Sequence, residues 1–182
     1  MAKNDHSSAP NRALKGNIFL VGPMGAGKTS VGRYLARFLE KRFLDSDREI
    51  EQHTGAAISR IFELEGEAGF RRREQAMIEQ LTRETDIVLA TGGGVVLNRE
   101  NRACLIHRGT VVYLHAPIER LVRRTAGDKN RPLLHTADPR GKLEEIMEER
   151  EPLYRQVADQ VVGTEGKSPK QLAGYIARSL SG

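Results

Sequence analysis

Apolar residues fall in short runs along the chain, and the spacing inside the runs changes from one to the next. Asn17–Val21 is β-branched and apolar and stops at Gly22, the pattern of a buried strand. Over residues 28–39, Val31, Leu35, Phe38 and Leu39 recur at helical spacing. Arg42–Asp45 predicts a second strand, followed by helical segments to about Arg83 with breaks near Gly55 and Gly66. A third strand, Ile87–Ala90, ends in Thr91-Gly92-Gly93-Gly94. The pattern then predicts a helix around residues 99–107 and a strand over 110–114, with Pro117 at the first position of the next helix, where a missing N–H costs nothing. Residues 127–140 lose periodicity and collect Gly127, Pro132 and Pro139, the marks of a mobile loop. A helix over about 142–151 should be stopped by Pro152, with a short strand near 160–162 and a closing helix over 169–180.

Strands alternating with helices predict an α/β fold in three layers, with a central parallel sheet of about five strands and helices on both faces. Ligands then belong at the carboxyl ends of the strands. A chain of 182 residues suits one domain, here residues 17–182. The first 16 residues carry no apolar core, so they are read as a disordered tail and not as a secretory signal. No apolar run approaches the roughly 20 residues of a membrane helix, so no membrane partner is expected.

Charge and cysteine content narrow this further. The net charge of +5 suits either nucleic acid or small anions, but Lys and Arg are dispersed and four Tyr, five Phe and no Trp offer few stacking surfaces. The expectation is small anionic ligands and no nucleic acid. Cys104 stands alone, which excludes an intramolecular disulfide and suits a buried thiol in a reducing cytoplasm. None of the five histidines has metal-ligand spacing.

The run Gly22-Pro23-Met24-Gly25-Ala26-Gly27-Lys28-Thr29 has the spacing G-x-x-x-x-G-K-[ST], between a predicted strand and a predicted helix. Glycines let successive N–H groups turn inward at phosphate oxygens, and the helix adds the positive end of its dipole. Gly25, Ala26, Gly27 and Ser30 would contact ATP, Lys28 would reach its β and γ phosphates, and the Thr29 hydroxyl would bind Mg²⁺.

Asp45 and Asp47, two apart in extended chain, project to one side at the ligand end of the second strand. One carboxylate fits a Mg²⁺ shell and the other a hydroxyl-proton acceptor; Ser46-Asp47-Arg48-Glu49 equally fits a helix capping box. The third strand lacks the terminal acidic residue of many nucleotide-hydrolysing enzymes, which leaves any metal role to Asp45. Gly92, Gly93 and Gly94 fit close approach of a ligand to backbone, or merely a tight turn. Arg72 lies opposite the stripe of Phe70, Met77, Ile78 and Leu81, whereas Arg71 and Arg73 flank it. Arg150 ends an acidic helix, where a cation steadies the dipole whether or not it binds a ligand. Arg124 and Arg131 bracket or occupy the loop, as phosphate contacts over the site or as solvated charges.

Taken together, Asn17 to Thr29, Asp45-Ser46-Asp47, Gly69-Phe70-Arg71, Ala90-Thr91-Gly92-Gly93-Gly94, Arg131-Pro132-Leu133-Leu134 and Pro152-Leu153-Tyr154 resemble the shikimate kinases, particularly the enterobacterial type, over nearly the whole chain from Gly16. The resemblance implies a P-loop kinase fold with a mobile lid over about 125–140 and substrate-binding helices over about 46–83. It further implies transfer from ATP to the 3-hydroxyl of shikimate, on the route to chorismate and the aromatic amino acids, by a cytoplasmic monomer. On the matching positions, Asp47 would be the base and bind substrate hydroxyls, while Arg71, Arg150 and the Gly93 backbone would hold shikimate. Thr29 would ligate Mg²⁺, with Asp45 acting through water. Arg131 would reach ATP phosphates, with Arg124 near the nucleotide and Lys167 where some members carry an adenine-side arginine. The rivals are another hydroxy-acid kinase of this fold, such as a gluconate kinase, and a nucleotide-sensing or nucleic-acid-binding module without transfer activity.

Overall fold

Every residue of the first strand, β1 (Asn17–Val21), is buried, as its run of apolar residues requires of a strand covered on both faces. The computed structural model describes residues 16–182, so all but the last residue of the proposed N-terminal tail lies outside the described residues. After β1 come α1 (Lys28–Phe38), β2 (Arg42–Asp45), α2 (Ser46–Thr54), α3 (Ile58–Leu81) and β3 (Ile87–Ala90). A 3₁₀ turn (Val95–Leu97) leads to α4 (Arg99–Arg108), β4 (Gly109–His115) and α5 (Ile118–Thr125). A second 3₁₀ turn (Pro132–Leu134) precedes α6 (Pro139–Val157), β5 (Gln160–Gly163) and α7 (Pro169–Ser181).

The five strands form one parallel sheet in the order β2-β3-β1-β4-β5. With β1 central, the chain builds one side of the sheet through β3 and β2 and the other through β4 and β5. The carboxyl end of β1 therefore lies where the winding changes direction, the usual ligand crevice of such sheets. Alternation along β1 divides the core. Ile18 and Leu20 pack with Val31, Leu35, Leu172 and Ile176 on one face, while Phe19 and Val21 pack with Ile50, Ile78 and Tyr154 on the other. Among the described residues no helix is long and apolar enough to cross a membrane.

The predicted breaks appear where glycine permits them. Gly55 ends α2 at φ 68°, and Gly66 kinks α3 at φ 69°, ψ −178°. Three expectations need correction. Pro117 is the N-cap of α5 and not its first residue, with the helix beginning at Ile118. The Ser46 capping box does not form, because Asp45 is the N-cap: its Oδ1 accepts from the N–H groups of Asp47 and Arg48 at 3.1 and 3.4 Å. Pro152 does not stop α6, which starts earlier than expected, at Pro139 behind an Asp138 cap, and continues to Val157. A proline inside a helix costs on the order of 3 kcal/mol, and apolar burial offsets it here, since Leu143, Ile146, Tyr154 and Val157 are all buried along the same helix. The Tyr154 hydroxyl adds a hydrogen bond to the Gly93 carbonyl.

Candidate active site

The loop between β1 and α1 turns on glycines whose conformations side chains resist. Gly27 caps α1 at φ 97°, and a Cβ on Gly22 would lie 2.7 Å from the Leu114 carbonyl oxygen of β4. Lys28 is buried at the start of α1, and its Nζ donates to the Gly22 and Pro23 carbonyls at 2.7 and 2.8 Å. Burial lowers its pKa to about 8, with Asp47 pulling the other way. The Thr29 hydroxyl donates to Asp45 Oδ2 at 2.7 Å, and Arg124 Nη1 donates to the Gly25 carbonyl at 3.1 Å. Together with Met24, Gly25, Gly27, Ser30, Thr91, Gly92, Gly93, Arg131 and Pro169, these residues line a groove over the N-terminus of α1. Ala26 lies beneath that lining, its N–H donating to the Pro23 carbonyl at 3.2 Å. Lys167 does not line the groove, and its ammonium sits 5.7 Å from the Tyr175 ring centroid.

A second, smaller pocket opens off this groove. Met24, Asp47, Gly92, Gly93 and Arg131 line both, and Ile58, Phe62, Phe70, Arg71, Glu74, Gly94, Asn130, Pro132, Leu133 and Arg150 complete it. Asp47 lines both cavities, but the strand reading of its position needs correction. It projects from the first turn of α2, not from β2, after Asp45 has ended the strand and capped the helix. Arg150 likewise belongs to the interior of α6, where it is buried, and not to a helix end. Arg71 is mostly buried and pairs with Glu74 at 2.8 Å and Glu67 at 3.2 Å, whereas Arg72 is exposed and Arg73 pairs with Glu65 at the surface.

The glycine triplet leaves room for these side chains. A Cβ on Gly92 would lie 2.8 Å from Asp47 Oδ1 and 2.9 Å from Glu74 Oε1, and one on Gly94 would collide with the Arg71 guanidinium. The same residues make the turn, with the Gly92 N–H donating to Ser46 Oγ at 3.1 Å and the Gly92 carbonyl accepting from the Val95 N–H. Glu74 escaped the sequence analysis, although a signal existed. It falls four residues after Phe70 and three before Met77, so a carboxylate interrupts an otherwise apolar stripe.

The charged side chains of the pocket are largely buried and incompletely satisfied. Asp47 Oδ1, Arg71 Nε, Glu74 Oε1 and Arg150 Nε have no hydrogen-bond partner within the protein, a cost that folded proteins rarely carry without a use. Burial pushes Asp47 up to about 7, with Glu74 and Asp45 adding to the rise and Lys28 and Arg71 opposing it. Burial also raises Glu74, against the pull of Arg71. Arg131, from the segment between α5 and α6, lines groove and pocket alike, and its Nε donates to Asp128 Oδ2 at 2.7 Å. The combined cleft thus offers a phosphate cradle, a carboxylate poised near neutrality at the junction, and two guanidiniums deeper in.

Known proteins share the sequence pattern and the fold. The family described as shikimate kinase matches residues 24–181. A shikimate kinase of Nitrosospira multiformis is 57% identical over 173 residues, covering 95% of this chain and 89% of its own. One from Vibrio parahaemolyticus is 56% identical over 168 residues, covering 92% and 98%. The solved structure of a shikimate kinase from Acinetobacter baumannii in complex with shikimate superposes with a TM-score of 0.91 at 50% identity, covering 92% of this chain and 94% of that one. A family match across most of the chain, joined to the same fold and a cleft of kinase chemistry, means that this chain belongs to the shikimate kinase family of ATP-dependent phosphotransferases.

Proposed function

We propose that the chain transfers the γ-phosphoryl group of ATP to the 3-hydroxyl of shikimate, giving shikimate 3-phosphate and ADP for chorismate and aromatic amino-acid synthesis. The observation that carries this reading is the unsatisfied cluster Asp47, Arg71, Glu74 and Arg150, buried beside the phosphate groove. Two permanently charged guanidiniums match the carboxylate of a hydroxy acid, and Asp47 stands between them and the groove, where an acceptor hydroxyl has to meet the γ-phosphate. Asp47 orients that hydroxyl and takes its proton. Lys28, with Arg131 from the lid, neutralises charge on the transferring group, and Gly25, Gly27 and Ser30 cradle the remaining phosphates.

Mg²⁺ fits the donor set. Thr29 and Asp45 present hard oxygens side by side at the edge of the groove, and the Thr29 hydroxyl, donating to Asp45, keeps its lone pairs free. Thr29 would hold the ion directly and Asp45 through water. When bound, it would neutralise charge on the β and γ phosphate oxygens. A single domain over residues 17–182 with a lid over about 125–140 suits this chemistry, and since one chain supplies the whole lining, a cytoplasmic monomer suffices.

A panel of hydroxy acids with ATP and Mg²⁺ tests the reading. ADP should form with shikimate and exceed that with gluconate by at least about 10² in kcat/KM. Turnover of gluconate in preference to shikimate overturns it, as does steeply salt-dependent binding of DNA or RNA with no phosphorylation of any hydroxy acid.

A further inference from the structure

Three glycines in succession have no side chains to pin their peptide planes, yet Gly92, Gly93 and Gly94 all line the pocket, so groups elsewhere have to fix them. The first and last are held locally. The Gly92 N–H donates to Ser46 Oγ at 3.1 Å, its carbonyl accepts from the Val95 N–H at 3.2 Å, and the Gly94 carbonyl accepts from the Leu97 N–H at 3.1 Å. The middle one is held from afar: its carbonyl accepts from the hydroxyl of Tyr154, 61 residues further along the chain in α6.

Gly93 also stands where the two cavities meet. A Cβ there would lie 3.2 Å from the Met24 nitrogen of the phosphate loop and 3.7 Å from Arg150 Nη1. Arg150 and Tyr154 are one turn apart on α6, hence on one face of that helix, and both are buried. One hydrogen bond therefore ties the helix that carries Arg150 to the backbone that Arg150 approaches. Packing does not require the hydroxyl. The Tyr154 ring is fully buried and stacks on Tyr113 with centroids 5.0 Å apart, a contact that phenylalanine would keep. In the same stack the buried Tyr113 hydroxyl has no hydrogen-bond partner among the described residues.

We propose that Tyr154 is a positioning residue for the acceptor: its hydroxyl clamps the Gly93 carbonyl and so sets the gap between the glycine backbone and the Arg150 guanidinium that receives the carboxylate of the hydroxy acid. This deepens the reading of the pocket as a shikimate site and rests on it. Tyr154 lines neither cavity, so its effect on substrate passes through Gly93. The peptide after Gly93 is planar and trans, and fixing its carbonyl also fixes the Gly94 N–H on the opposite side. Gly94 in turn stands against the Arg71 guanidinium. Both arginines of the pocket thus take their spacing from one clamped peptide, formed before the acid arrives.

The test is steady-state kinetics of the wild type, Y154F and Y113F, with shikimate and ATP varied in turn. Y154F keeps the stacked ring and loses only the clamp, so KM for shikimate should rise about tenfold while KM for ATP stays within about twofold. Y113F removes the unpartnered hydroxyl of the same stack and should leave both KM values within about twofold. A Y154F enzyme with a lowered Tm and both KM values unmoved makes Tyr154 a packing residue and overturns the proposal. An equal rise for the two substrates, or a rise in Y113F that matches Y154F, overturns it too. Should circular dichroism show Y154F unfolded, amide NMR of the wild type decides: sharp Gly93 and Gly94 signals before shikimate is added support a clamped peptide, and signals broadened by exchange until shikimate binds refute it. If the wild type itself fails to phosphorylate shikimate, the reading of the acceptor fails and the clamp with it; if the wild type turns shikimate over and Y154F matches it, the clamp alone fails.

Discussion

The phosphate groove and the acceptor pocket share a wall but are built by opposite means. One continuous stretch, Met24 to Ser30, supplies more of the groove than any other segment, and it brings main-chain N–H groups, a helix end and one buried lysine. The pocket draws side chains from α2, α3, the segment between α5 and α6, and α6 itself, with the glycines after β3 as bare backbone. Backbone dipoles recognise phosphate wherever glycines allow the turn, so a groove built this way would read the phosphates and not the base. Side chains held by burial recognise one shape, and the pocket therefore carries the unsatisfied atoms. Damage on the pocket side should cost the acceptor and spare the nucleotide.

The largest effect expected is from Asp47→Asn. The amide keeps the size of the side chain and loses its capacity to take a proton, so kcat should fall on the order of 10² or more while ATP affinity stays within about threefold. Single-turnover rates and nucleotide titrations measure the two separately. A fall in kcat of less than about threefold removes Asp47 as the base.

Gly92→Ala sharpens the comparison with a smaller effect. Its backbone is not in the left-handed region, so alanine is tolerated as chain, but the new methyl would press on Asp47 Oδ1 and Glu74 Oε1 at 2.8 and 2.9 Å. Displacing those carboxylates should lower kcat/KM for shikimate about 10- to 100-fold with little change for ATP. An equal loss for both ligands would mean that the triplet serves the groove as much as the pocket.

The same contrast explains what was legible in the sequence. The strand, loop and helix around Lys28 could be read from spacing because that stretch is local in sequence, whereas the strand order β2-β3-β1-β4-β5 emerges only from the structure. The pocket is assembled from positions up to about a hundred residues apart, and periodicity alone says little about which faces meet. Asp47 was read as a strand residue because two local cap signals compete, and the structure places the cap at Asp45 and not at Ser46. Arg150 was misjudged as terminal because Pro152 looks like a stop until the burial of Tyr154 and Val157 is known. Glu74 was legible in principle, as a charge on the stripe of Phe70, Met77, Ile78 and Leu81, but spacing alone does not tell a buried carboxylate from one at the stripe's exposed edge.

The smallest effect concerns stability, and its sign follows from burial. Asp47 holds its proton to about pH 7 in the folded chain and to about pH 4 when unfolded. Between those values the folded state keeps a proton that the unfolded state has released, so stability falls as pH rises through the window and the full penalty is present above it. Asp47→Asn removes the ionisation and should therefore stabilise the protein most at about pH 7.5 and least near pH 5. For a half-buried side chain that water still reaches, the gain is about 1–2 kcal/mol, or about 2–6 °C in Tm for a chain of this length. Thermal melts of both proteins at the two pH values test it: a difference that does not grow with pH would mean that Asp47 is solvated enough to ionise freely. In that case the acceptor pocket would resemble the groove's open edge more closely than its own buried arginines suggest.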